Sequence, residues 1–95
     1  MKFRNGFVSN SSSSSFTISR SKLSKIQIKR IHDHIFHASK RPDLFPWLEE
    51  WEIKEDDDLD IITGFTWMDN FDMEMYLRDF VKVADEDIIW DRDDG

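Results

Sequence analysis

A chain of 95 residues, 39% hydrophobic and 14% aromatic, is long enough for one globular domain and too apolar for a disordered tail. It has no cysteine, which excludes disulfides, thiolate chemistry and cysteine-ligated zinc and favours a reducing compartment. The net charge of −7 hides a division: residues 1–48 hold nine Lys/Arg against two Asp/Glu, and residues 49–95 hold four against eighteen. That asymmetry points either to a charged partner or to two halves that pair within the fold.

Residues 1–15 form a separate, Ser-rich block, and residues 16–95 are expected to make a single α+β domain. The basic start Met1-Lys2-Phe3-Arg4 is followed by polar residues instead of an apolar stretch, so a secretory signal is not expected. Lys2 excludes N-myristoylation. No run approaches the ~20 apolar residues of a membrane span, and the expected location is the cytoplasm.

Ser15 to Ser19 alternates Phe16 and Ile18 with hydroxyl residues and is predicted as a strand. Ser24 followed by Gln27 has the spacing of a capping box, and Leu23 and Ile28 have that of a hydrophobic staple. Ile28, Ile31, Ile35 and Ala38 then recur at helical spacing, predicting a helix from about Lys25 to about Ser39, before Pro42. Trp51 and Ile53 alternate with Glu50, Glu52 and Lys54, as in a half-buried strand. The acids Glu55 to Asp58 mark a turn, and Asp60 to Met68 returns as the second strand of a hairpin. Asp69 or Asn70 is the expected cap of a second helix, with Met73, Leu77, Phe80 and Ala84 as its stripe and Tyr76 and Val81 beside them. Ile88-Ile89-Trp90 is a last short strand, and Asp91 to Gly95 a charged tail.

This order predicts a βαββαβ, ferredoxin-like sandwich: a four-stranded antiparallel sheet with two helices on one face. The competing arrangement adds residues 3–8 as an extra edge strand.

Two stretches resemble a recurring group of small, mostly phage-encoded proteins. One is Gly6-Phe7-Val8-Ser9-Asn10-Ser11-Ser12-Ser13-Ser14-Ser15-Phe16; the other is Thr66-Trp67-Met68-Asp69-Asn70-Phe71-Asp72-Met73, followed by Tyr76-Leu77. The resemblance implies a phage or bacterial origin, and hence a bacterial host cell. It brings no catalytic residues with it.

The serine run reads either as a linear motif, open to modification or recognition, or as a plain leader. No base stands beside it to make a nucleophile. His34 and His37 fall i, i+3 on the first helix, but with His32 they do not share one face, so solvated helix surface is the plainer reading. Lys22, Lys25, Lys29, Arg30, Lys40 and Arg41 give a nucleic-acid alternative, weakened by the surrounding acid and by the lack of an RNA-recognition signature. Asp56-Asp57-Asp58 with Asp60 lacks the glycine and distal glutamate of a calcium loop. Neither a metal nor a cofactor is expected.

The leading expectation is a non-enzymatic protein that binds a host protein through an acidic, aromatic-bearing surface. Trp51, Glu52, Glu55, Asp56, Asp57 and Asp58 are its expected contacts. The four tryptophans are expected in or beside the core, and two or more exposed together would mark a partner surface.

Overall fold

The computed structural model describes residues 13–68 and 70–92. The expected extra edge strand over residues 3–8, the Asp69 cap and the final residues of the tail lie outside that range.

Four strands form one sheet: β1 (Ser14–Ser19), β2 (Glu52–Asp56), β3 (Ile61–Thr66) and β4 (Ile88–Arg92). Their order is β2-β3-β1-β4, and every neighbouring pair is antiparallel. The expected α+β class therefore holds. It follows that β1 and β2 run parallel with β3 between them, and β3 and β4 run parallel with β1 between them. Each parallel pair is joined through a helical connection.

The period of two sorts the side chains. Phe16 stands between Gly64 and Trp90, and Ile18 between Ile62 and Ile88. Apart from Trp90, which is partly buried, this row is buried and shares the core with Ile31, Ala38, Phe45, Phe71, Met73, Tyr76, Leu77 and Val81. The helical segments thus cover one face. The other face, with Thr17, Thr63, Phe65 and Ile89, is open; Ile89 is 67% exposed.

The capping box forms as the spacing predicts. Ser24 accepts from the Gln27 amide at 3.1 Å, and Gln27 Oε1 accepts from the Ser24 amide at 2.8 Å. The predicted continuous helix is instead two pieces, α1 (Lys25–His32) and α2 (His34–Ala38), interrupted at Asp33 with φ −95 and ψ 25. The break adjoins His34, whose Nδ1–H donates to the Ile31 carbonyl at 2.8 Å. A side chain taking a helix carbonyl in this way competes with the helix ladder.

The second helical segment is also shorter and wider than expected. Its cap is Asp72, accepting from the Met75 amide at 3.0 Å. One short helix, α3 (Met73–Met75), passes directly into a π-helical stretch, Tyr76–Val81. Lys82, at φ 70, ends it in the left-handed region. Its last carbonyls are satisfied from α1: Gln27 Nε2 donates to Val81 and Lys82, and Arg30 donates to Phe80. In return the Tyr76 hydroxyl donates to the Arg30 carbonyl at 2.8 Å. Burial pushes that phenol up to about 12. Ala84 lies beyond the segment and is exposed, not part of its apolar stripe.

Candidate functional site

The expected contacts do not form one surface. Glu52 begins β2, and Asp57 and Asp58 follow its other end. At ~3.3 Å per residue, the length of β2 alone puts about 13 Å between Glu52 and Asp56. Alternation also turns Glu52 and Asp56 to the open face and Glu55 to the helical side.

At the hairpin end, the acids are held internally. Arg20 follows β1, and its guanidinium meets Glu55 Oε1 at 3.0 Å, Asp57 Oδ1 at 2.9 Å and Asp60 Oδ1 at 3.0 Å. His32 Nε2 reaches the other oxygen of Glu55 at 2.8 Å. His32, and then Arg20, hold the Glu55 carboxyl below the usual carboxylate range. Asp56 Oδ1 accepts from the Leu59 amide at 3.0 Å and shapes the turn. Asp60 closes it at φ 55. The basic and acidic halves therefore pair here, and Glu55 and Asp57 already have a cationic partner.

Trp51 is not a surface contact. It is 2% exposed and packs in the core, 5.8 Å from Phe16 and 6.5 Å from Trp90 between ring centroids. Its backbone amide donates to His34 Nε2 at 3.0 Å. His34, expected on solvated surface, is wholly buried. Its Nδ1–H donates to Ile31 and its Nε2 accepts from Trp51, which fixes the neutral tautomer. Burial lowers its affinity for a proton. The Trp51 indole Nε1–H is buried without a hydrogen-bond partner among the described residues.

The Ser-rich motif is also re-read at its end. Ser14, Ser15 and Phe16 belong to β1, so the sheet begins inside the run; Ser14 is 3% exposed and Phe16 is wholly buried. Gly6 to Ser12 lie outside the described residues. On the basic helix, Lys29 pairs with Asp33 at 3.1 Å, and Arg30 is engaged at Phe80. No group of three or more candidate metal ligands occurs among the described residues, and none of their helices is long and apolar enough to cross a membrane.

An acidic and aromatic surface does exist, at the other end of the sheet. Glu49, Glu50 and Glu52 border a shallow groove with Phe65, Thr66, Trp67 and Met68. Trp67 is 76% exposed and stands edge-on to Phe65, with centroids 4.9 Å apart. Met68 is 42% exposed. Trp67 follows Thr66, the last β3 residue with a partner on β1, so among the described residues no β1 residue pairs with it. Asn70 donates to Glu49 at 3.0 Å. Beyond that hydrogen bond lies a second cleft, lined by Asn70, Asp72, Glu74 and the core rings Trp51, Phe71 and Trp90.

Of the expected contacts, this surface keeps Glu52. It gains Glu49, Glu50, Phe65, Trp67 and Met68; the strand expected to run to Met68 ends at Thr66, which leaves Trp67 and Met68 beyond it. No family model, no curated protein and no solved structure matches the chain.

Proposed function

We propose that this chain is a non-enzymatic binding protein that engages a basic segment of a host protein through the Glu49–Glu50–Glu52 and Phe65–Trp67–Met68 surface. One observation carries the reading: a tryptophan 76% exposed, propped edge-on against a second aromatic ring and bordered by three glutamates. Leaving an indole this open has no benefit for the fold. Tryptophan is among the residues that contribute most when an interface buries them, and the surrounding carboxylates steer a cationic partner and set its orientation. The net charge of −7 acts in the same direction at longer range. The phage-like motifs support a bacterial host, and the cysteine-free composition favours a reducing compartment.

We read the scaffold as ferredoxin-like. Two interleaved β-helix-β units, each spanning a strand of the other, support that reading. In such a scaffold one sheet face is sealed by helices and the other is available for recognition.

The experiment is affinity capture from bacterial lysate on the immobilised chain, compared with the double variant Trp67→Ala/Glu50→Lys. The expected result is a protein retained by the wild type at low salt, released at high salt and lost from the variant. Identical captured sets on both would overturn the proposal.

A further inference from the structure

On the helical side of the molecule, Arg30, His37, Tyr76 and Phe80 line a cleft of about 240 Å³. Arg30 and His37 come from α1 and α2, about two helical turns apart. Tyr76 and Phe80 come from the π-helical stretch, and their rings stack 5.7 Å apart at 12°. Phe45 backs Phe80 edge-on at 5.2 Å, so the aromatic wall is firmly held. Tyr76 is buried beneath, and Phe80 is partly exposed. π-Helical turns are rare and recur at functional sites.

The cation on this cleft is not neutralised within the protein. None of the ion pairs among the described residues includes Arg30. Asp33, on the same helical connection, is taken by Lys29 at 3.1 Å. Arg30 Nη1 donates to the Phe80 carbonyl at 3.2 Å, which fixes the side chain and leaves its charge unmatched. Nε and Nη2, an edge whose fork of N–H donors fits a carboxylate, have no partner among the described residues. The His37 ring meets Phe36 edge-on at 5.3 Å and makes no hydrogen bond among the described residues.

We infer that this cleft binds a small aromatic carboxylate. The carboxylate pairs with the Nε and Nη2 edge of Arg30, a charge-assisted and bidentate contact. The ring of the ligand packs against Phe80, and His37 supplies a second polar contact. The volume lies below the ~300–1,000 Å³ of pockets that enclose drug-sized ligands, which limits the occupant to about one ring bearing one acid group. A bare inorganic anion would leave the aromatic wall unused, and a neutral ring would leave the guanidinium unmatched. The site shares no residue with the Glu49 to Trp67 surface and stands apart from that reading.

The test is an NMR titration of the labelled full chain with benzoate, with acetate and benzamide as controls. Benzoate is expected to move the Arg30 Nε–H and His37 ring signals saturably and to leave the Trp67 indole signal in place. Acetate lacks the ring and benzamide the charge. Each should bind about tenfold or more weakly, from lost apolar burial in the one and lost charged hydrogen bonds in the other. Arg30→Gln keeps a donor for the Phe80 carbonyl and should weaken benzoate about tenfold or more. His37→Gln alters a ring that holds no hydrogen bond in the fold and should weaken it about two- to tenfold; it carries the test if Arg30→Gln fails to fold. The inference is overturned if benzoate gives no saturable shift, if acetate or benzamide binds as well as benzoate, or if the folded variants bind it as wild type does.

Discussion

Removing the imidazole of His34 tests the core on which the binding end is built. The ring is wholly buried, packs 5.5 Å from Phe71 and 6.4 Å from Tyr76 between centroids, and bonds both Ile31 and Trp51. His34→Ala forfeits that packing and leaves a cavity, at a cost of about 2–4 kcal/mol. It also orphans the Trp51 amide, worth about 1–3 kcal/mol more. A chain of this length has about 5–14 kcal/mol in total, so the alanine variant should be at the edge of folding. His34→Gln offers an acceptor and a donor in place of the ring and should cost about 1–3 kcal/mol.

The two chains should also differ in pH dependence. Folding lowers the proton affinity of His34 from its ordinary 6.5. As pH falls below that value, the unfolded chain takes up the proton first. Stability held by the neutral ring is therefore complete above 6.5 and is lost on the way down to the lowered folded value, at no more than about 1.4 kcal/mol per pH unit. Urea unfolding followed by tryptophan fluorescence at about pH 7.5 and about pH 5.5 reads this directly. Wild type should lose more stability than His34→Gln over that interval, because only the wild type carries the buried imidazole. Equal losses would refute the buried neutral tautomer.

Other outcomes follow from single contacts. A Cβ at Gly64 would collide with Cε2 of the Phe16 ring and stand 2.6 Å from its Cζ. Gly64→Ala should cost about 1–3 kcal/mol by urea unfolding, and Gly64→Ala/Phe16→Leu should lose less than the two single variants summed. Arg20→Gln leaves Glu55, Asp57 and Asp60 facing one another without their cation; its melting temperature should fall, and added salt should close part of the gap to wild type. Lys82→Gly relieves a left-handed residue at the end of the π-helical stretch and should stabilise by up to about 1 kcal/mol.

Local signals in the sequence translated well where backbone chemistry is decided within a few residues. Ser24 and Gln27 cap a helix because both partners are three residues apart. The alternation from Phe16 to Ile18 places both inside because a strand has a period of two. The same alternation already sets Trp51 opposite Glu52, hence inward. Its phase in the strand, not its aromatic character, decides where Trp51 sits. What stayed hidden depends on residues distant in the chain. His34 looks polar at a polar stretch of helix, and only the Trp51 amide, 17 positions on, explains its burial. The π-helical stretch depends on Gln27 and Arg30 reaching across from α1. Glu55 and Asp57 looked available because their cation, Arg20, is more than 30 residues away. The groove around Trp67 was the least legible, since exposure past the end of a strand depends on where the partner strand stops.

The most direct measurement is fluorescence anisotropy of a labelled short peptide of alternating leucine and arginine, titrated with the full chain at low and high salt. If the acidic, aromatic end recognises basic segments, the peptide binds, salt weakens it, and Trp67→Ala/Glu50→Lys abolishes it. The account is contradicted if the peptide fails to bind, or if the same peptide with glutamate in place of arginine binds as well.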